Sequence, residues 1–512
     1  MDDKIIVTNR SALLRKYGTK GLAAIRKALT ALTTADKARG IKSRVVYLDS
    51  ALNMKSVGGK AVINATDPRE NKAAVDAIFK SLNPAYLMVL GAPDVVPHQD
   101  LNNTVFNPPE DDDARAWGDL PYACDAPYST DPAKFIGPNR VVGRLPDLTG
   151  AIEPSHLIAV LKTVGAYKTR SAADYAGYFG LSAEVWQGST RLSLHNIFGN
   201  TGGMLLAPPS GPNYIGGQLG ARAHFINCHG GPASPEFSGQ KGKTYPTSLT
   251  TQATAGQIVN GTVAAVECCF GAELYDSVTL AIDPPICQSY LRQGAYAYFG
   301  STTIAYGPPD DNGAADIICQ YFLMEVLNGA SIGRAALIAR QKYVANTAQM
   351  DPVDLKTLAQ FCLLGDPSVH PVAQPGVAGV PKGVAIADAE RFFRAERRAK
   401  LRLAGDFLTK TKPTASMREA TGRLSQTTKT ALSNIAKLAG LAGNLEFTAF
   451  AVKGAPTQKK GIGAKIATAP SRYHLMIGMP GGKTAENVKR GVAVVVKELD
   501  GRIVGYRIYQ QR

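Results

Sequence analysis

No apolar run in the 512 residues approaches the ~18 positions that a membrane-spanning helix needs, so the sequence excludes a helical membrane anchor. An export signal is equally missing: Met1-Asp2-Asp3-Lys4 runs straight into the strand-like Ile5-Ile6-Val7-Thr8. Cysteine is scarce and odd in number. The seven residues lie scattered from Cys124 to Cys362, which argues against a disulfide framework and for a cytoplasmic protein. Acidic residues run short in one segment only. Of 57 Lys+Arg and 41 Asp+Glu, 25 and 9 fall between Gln374 and Arg512, which leaves 32 of each in residues 1–373. The net charge of +16 therefore belongs to one segment, and a uniformly basic nucleic-acid coat protein is excluded. At 45% hydrophobic and 19% charged, the chain is globular and long enough for three or four domains of roughly 150 residues each.

The neutral part alternates strands and helices. Residues 5–9, 43–49, 86–90 and 140–142 read as buried strands, with helices near 20–33, 70–82 and 154–168. A second set has strands at 223–227, 262–266 and 295–299, then helices near 313–328, 332–346 and 354–363. This pattern predicts an α/β fold, a parallel sheet flanked by helices, in two subdomains at 1–150 and 151–373. Residues 99–138, rich in Asp, Pro and Asn, read as loop. A Pro/Gly-rich linker at 371–381 opens the basic segment. From there, 374–442 reads as linker and basic helices (about 387–405 and 414–440), and 443–512 as a small β module. Its hairpin turns at Asp500-Gly501, a dipeptide that accepts the positive φ angles of a tight turn.

Two residues stand out by position. His229 follows the strand 223–227 and precedes Gly230-Gly231, while Cys268 follows the strand 262–266 with Gly271 three residues on. Active sites of open parallel sheets form beyond the carboxyl ends of strands, so successive strands would bring imidazole and thiol together. An imidazole can take a proton from a thiol whose own pKa is about 8.5. Gly230 and Cys268 amides would serve as oxyanion donors. If Cys268 faces the site, strand alternation turns Cys269 into the core. The bland alternative is a turn histidine and a buried structural thiol.

Asn227-Cys228-His229-Gly230-Gly231 and Glu267-Cys268-Cys269-Phe270-Gly271 resemble the His-Gly and Cys blocks of the gingipain family of cysteine peptidases, in the caspase-like clan with clostripain and separase. Leu90–Pro97, Val142-Gly143-Arg144-Leu145-Pro146 and Leu364-Gly365-Asp366-Pro367-Ser368 are similar to further gingipain segments in the same order, so the resemblance covers about 4–373. It implies a bacterial, caspase-like α/β hydrolase that cuts protein or peptide substrates through a thioester on Cys268, with His229 protonating the leaving amine. It further implies a carboxylate orienting the His, for which Asp119 is the nearest match, and an acid in the P1 pocket selecting Arg or Lys, for which Asp125 and Asp131 are candidates. No cofactor or metal is required, although the family uses Ca²⁺, and Glu110-Asp111-Asp112-Asp113 and Asp310-Asp311 are candidate ligands. The chain departs from the family in lacking an export signal, in carrying Phe237 where a Trp is usual, and in its basic continuation.

Other motifs carry less. Gly478-Met479-Pro480-Gly481-Gly482-Lys483-Thr484 has its first glycine one residue too close for a phosphate loop. His98, His195 and His370 have no partner at metal-ligand spacing and read as structural. Arg391, Arg394, Arg397, Arg398, Lys400 and Arg402 form a solvated face, a binding surface for a polyanion or regulatory partner, or a site of autoprocessing. The rival reading of the whole chain is a catalytically idle caspase-like module whose basic part grips nucleic acid or a protein.

Overall fold

A computed structural model describes residues 2–108, 110–347, 350–373, 417–420, 424–441, 447–452, 471–479, 491–499 and 502–512. Its centre is a ten-stranded sheet in the order Ser43–Tyr47, Lys4–Thr8, Tyr86–Leu90, Val142–Leu145, Phe361–Leu364, Ala297–Ser301, Val263–Val266, Ala223–Asn227, Tyr178–Ala183, Met204–Ala207. Every neighbouring pair is parallel except one: Phe361–Leu364 runs antiparallel to Ala297–Ser301 and parallel to Val142–Leu145. The two halves of the sheet therefore point in opposite directions, and only the second half sends its strand carboxyl ends toward His229 and the cysteines.

The strands are near-continuous apolar runs because helices cover both faces. Ile5, Ile6, Val7, Leu87, Met88, Val89, Ala264, Ala265 and Val266 are all fully buried in one core that spans both halves. Helix boundaries follow local chemistry. Asp67 caps Pro68–Leu82 by accepting from Arg69 and Glu70 amides, with Pro68 preset for the first turn. Asp351 and Asp354 form a reciprocal capping box on Pro352–Gln360.

The structure is thus the mostly parallel, helix-flanked α/β architecture expected from sequence, with a small β module after it. It also corrects several boundaries. The helix expected over 354–363 ends at Gln360, and Phe361-Cys362-Leu363-Leu364 is the strand that joins the two halves. Tyr178–Ala183 and Met204–Ala207, which the periodicity did not separate, complete the far edge.

Beyond residue 373, a six-stranded antiparallel sheet forms from Tyr306–Gly307, Arg502–Gln511, Val492–Leu499, Ser471–Gly478, Phe447–Val452 and Met417–Glu419. One face packs Val495, Leu475 and Tyr509 against Val105, Tyr306 and Val353 of the α/β domain. The other face is covered by the helix Gln426–Leu438 through Leu432, Ile435 and Ala436. The boundary drawn at 442/443 therefore cuts through one packing unit, and Met417–Glu419 is a strand where a helix was expected. The Arg-rich stretch at 391–402, most of the Gly478–Thr484 segment and the Asp500-Gly501 turn lie outside the described residues. Among the described residues, no helix is long and apolar enough to cross a membrane.

Buried histidines give the fold a pH signature. His224 is fully buried, donating from Nε2 to the Ala221 carbonyl (2.9 Å) and accepting the Tyr290 hydroxyl at Nδ1 (2.9 Å). Burial pulls its pKa down to about 4, and burial does the same to His156. The unfolded residues bind protons near pH 6.5 and the folded ones do not until about 4, so unfolding takes up protons in that window. Stability should therefore be complete above pH 6.5 and fall by several kcal/mol, at roughly 1.4 per pKa unit per histidine, as the pH drops toward 4. Denaturant midpoints measured from pH 7.5 to 4.5 check this; a flat profile is the contrary result.

Candidate active site

The strands Ala223–Asn227 and Val263–Val266 lie side by side and parallel, with Ile226 opposite Val266. Their carboxyl ends release Cys228-His229 and Glu267-Cys268-Cys269 at the same edge. His229 is tied to Ser238 by reciprocal backbone bonds of 2.8 and 2.9 Å. Gly230 then passes so near the cysteine loop that a Cβ there would stand 1.8 Å from the Cys269 carbonyl oxygen. That close approach is why this position is glycine. The ring of His229 lies 4.0 Å from Trp186 and 5.5 Å from Tyr245, centroid to centroid. Its Nε2 meets Gln240 Oε1 at 2.7 Å. The Gln240 amide nitrogen donates to the Gly242 carbonyl and the Tyr245 hydroxyl, which orients Oε1 as the acceptor and leaves the proton on Nε2.

The two neighbouring cysteines are both buried, and their thiols face different surroundings. Cys268 is fully buried and faces inward, among Cys228, Tyr290, Tyr298 and Cys319, where burial pushes its thiol well above the ordinary value. Cys269 Sγ faces the other way, 3.2 Å from the Ala305 amide that donates to it. Strand alternation does not carry across this step, because the strand ends at Val266 and the chain turns, with Phe270 at φ +54°. The amide on this turn that donates to another segment is that of Cys269.

What that amide binds is a residue of the same chain. The Cys269 N–H donates to the carbonyl oxygen of Arg512 at 3.2 Å, and the Arg512 amide donates to Ala305 O at 3.0 Å. The Arg512 side chain is 1% exposed. Its Nη2 donates to both carboxylate oxygens of Asp316 (3.0 and 3.1 Å), to the Pro308 carbonyl (2.8 Å) and to Ser189 Oγ (3.4 Å). The guanidinium stands 4.5 Å from the Trp186 ring centroid, a cation–π contact. A Cβ on Gly307 would lie 2.3 Å from Nη2, so glycine forms the wall this flat group needs. Glu267 is fully buried beside Asp316; burial and then Asp316 push its carboxyl well above the usual range. Burial raises Asp316 as well, while Arg512 acts to lower it, and Asp316 is the carboxylate that meets the arginine.

The other carboxylates proposed from sequence are engaged elsewhere. Asp119 does not reach His229: it accepts from Arg144 (2.6 and 2.8 Å) and pairs with His98 (3.0 Å). Against the cost of burial, Arg144 and then His98 hold Asp119 well below the carboxylate range. Arg144 also donates to the Gly91, Val96 and Pro97 carbonyls, so the Gly-Arg-Leu-Pro motif is a buried brace of the first half. His98, Asp119 and Cys362 cluster tightly enough for a metal, but the Arg144 cation already satisfies that carboxylate. Asp125 is exposed on a cavity of about 550 Å³ with Asp76, Lys80 and Arg140, and Asp131 caps the short turn Pro132–Phe135. Neither touches Arg512. Asp111, a candidate calcium ligand, is buried against Lys356 (2.5 Å) and the Tyr306 hydroxyl (2.9 Å).

Three participants escaped the sequence reading: Asp316, Glu267 and Trp186. A signal existed for the acids. Glu267 is the lone charge in Val263–Cys269, and Asp316 sits in an otherwise apolar first turn, Ala315-Asp316-Ile317-Ile318. Trp186 supplies from another element an aromatic beside the histidine, while Phe237 is buried in a short hairpin.

Fold and site together place His229 and Cys268-Cys269 just past the ends of adjacent strands of a mostly parallel, helix-flanked α/β sheet, with the Arg512 side chain buried against Asp316 next to them. No protein-family model matches the sequence, and no curated protein matches it. A solved structure described as "Structure of Protease" is similar at a TM-score of 0.48 and 14% identity, over 99% of this chain and 97% of that one.

Proposed function

We propose that the protein is a cysteine endopeptidase that cuts polypeptides after arginine, with Cys269 as nucleophile and His229 as its proton partner. The observation that carries this reading is the pose of Arg512, whose guanidinium rests on Asp316 while its carbonyl meets the Cys269 amide. A substrate arginine in that pose presents its carbonyl carbon to the thiol of the same residue.

In the reaction, Cys269 Sγ attacks the carbonyl carbon and its proton passes to the imidazole. The oxyanion is held by the Cys269 N–H and, by resemblance to the caspase-like clan, the Gly230 N–H. Collapse breaks the C–N bond, the amine leaves with the proton from His229, and water hydrolyses the thioester. With Arg512 in place, burial pushes the Cys269 thiol up to about 12, against the lowering effect of the Ala305 and Arg512 backbone hydrogen bonds. A fluorogenic peptide panel varying P1 tests the reading. Arg should be favoured over neutral residues by at least about 100-fold, the discrimination a buried charge pair supports. Equal rates across the panel, or none, would count against it.

A further inference from the structure

We infer that the strand Arg502–Gln511, with Arg512, is an intramolecular inhibitor: the chain seats its own arginine in the specificity pocket and holds the peptidase closed. This rests on the peptidase reading of the same site and adds its regulation.

Three features support an inhibitory latch rather than a packing accident. First, the backbone pairs as a substrate would. Gln511 and Gln510 run antiparallel to Tyr306 and Gly307, and Arg512 adds its amide bond to Ala305, so a short edge of the catalytic domain is filled by β-addition. Side chains alternate along it. Gln510 accepts from Trp186 Nε1 (2.8 Å) and Arg512 enters the pocket, while Tyr509 and Arg507 reach Asp351 on the other side.

Second, the plug covers the chemistry completely. Trp186, whose ring packs at a tilt against His229, is also bonded to Gln510 and lies against the Arg512 guanidinium. No peptide carbonyl can reach the Cys269 amide while the Arg512 carbonyl holds it.

Third, the seat is imperfect. Among the described residues, Arg512 Nε and Nη1 are buried without a hydrogen-bond partner. Each such orphan costs about 1–3 kcal/mol, so a device built for stability alone would not leave two of them. Among the described residues, the outer backbone edge of the strand meets the catalytic domain at Gln510, Gln511 and the Arg512 amide, and Val504 and Tyr506 farther back are half exposed. Release requires the last three residues to part from Ala305–Gly307 while the pairing with Val492–Leu499 can stay in place.

The test compares the full chain with Arg512→Ala and with a chain stopped after Tyr509. Turnover of a fluorogenic Tyr-Gln-Gln-Arg amide should rise at least tenfold in both. Binding of a fluorescein-labelled Tyr-Gln-Gln-Arg amide, measured in a Cys269→Ala background, should tighten at least tenfold. Binding gained without turnover would keep the latch and reject the peptidase chemistry. Equal binding in open and unmodified chains, or none in any folded one, would overturn the latch. A readout free of folding concerns uses the unmodified chain: saturating peptide should speed hydrogen exchange of residues 508–512. Unchanged exchange at saturation would also overturn it.

Discussion

Replacing Cys269 by Ala should abolish turnover of an arginyl peptide by at least about 10³-fold, whereas Cys268→Ala should leave it within a few-fold. The first change removes the atom that bonds to the substrate, and no positioned group remains to take its place. The second removes a sulfur that is fully buried among Cys228, Tyr290 and Tyr298, away from the Arg512 carbonyl. Its cost is packing, about 1–2 kcal/mol for a small buried side chain, read as a lower melting temperature. Both substitutions are best assayed in the Arg512→Ala protein, where the pocket is open. Matched losses from the two variants would contradict the assignment.

Asp316→Asn should give the second large effect, through the charge of the pocket. Asp316 is fully buried and faces an arginine that is fully buried with it. Removing one partner of such a pair costs about 3–5 kcal/mol, because the other charge stays buried and uncompensated. For a substrate this corresponds to a loss of roughly 10²–10⁴ in kcat/KM at P1 arginine, with little change at P1 glutamine or methionine. In the unmodified chain the same substitution weakens the seat of Arg512, so protection of residues 508–512 against exchange should fall. Steady-state kinetics with paired arginyl and glutaminyl substrates separates the two. A uniform loss on both would place Asp316 in the fold rather than in specificity.

Much of the fold was legible in the sequence, and the reasons for the exceptions are physical. Strands such as Tyr86–Leu90 and Ala223–Asn227 are short, mostly apolar runs, the first set between Pro84 and Gly91, and the sequence pattern located them residue for residue. Phe361–Leu364 was hidden because no Gly, Pro or polar residue separates it from the preceding helix. Its antiparallel pairing is also what turns the two halves of the sheet against one another, a consequence of long-range partners that no local pattern carries.

The site divides in the same way. His229 stood out because it follows a strand at once and precedes a glycine. The choice between Cys268 and Cys269 depended on the backbone turning after Val266, where a period-two rule ceases to apply. Asp119 was matched to the histidine through the family resemblance; in three dimensions the buried Arg144 holds it. The arginine pocket joins Trp186, Glu267, Gly307, Asp316 and Arg512 from five separate segments, so only the folded chain displays it. The basic charge of the last 139 residues, first a question about partners, now includes one cation whose partner is the site itself.

The most direct test of the account is covalent. The Arg512→Ala protein is treated with a peptidyl-arginine chloromethyl ketone, digested, and mapped by mass spectrometry. A single adduct on Cys269, retained in a Cys268→Ala background, is the predicted result. An adduct on Cys268, or a folded protein left unlabelled, would contradict it.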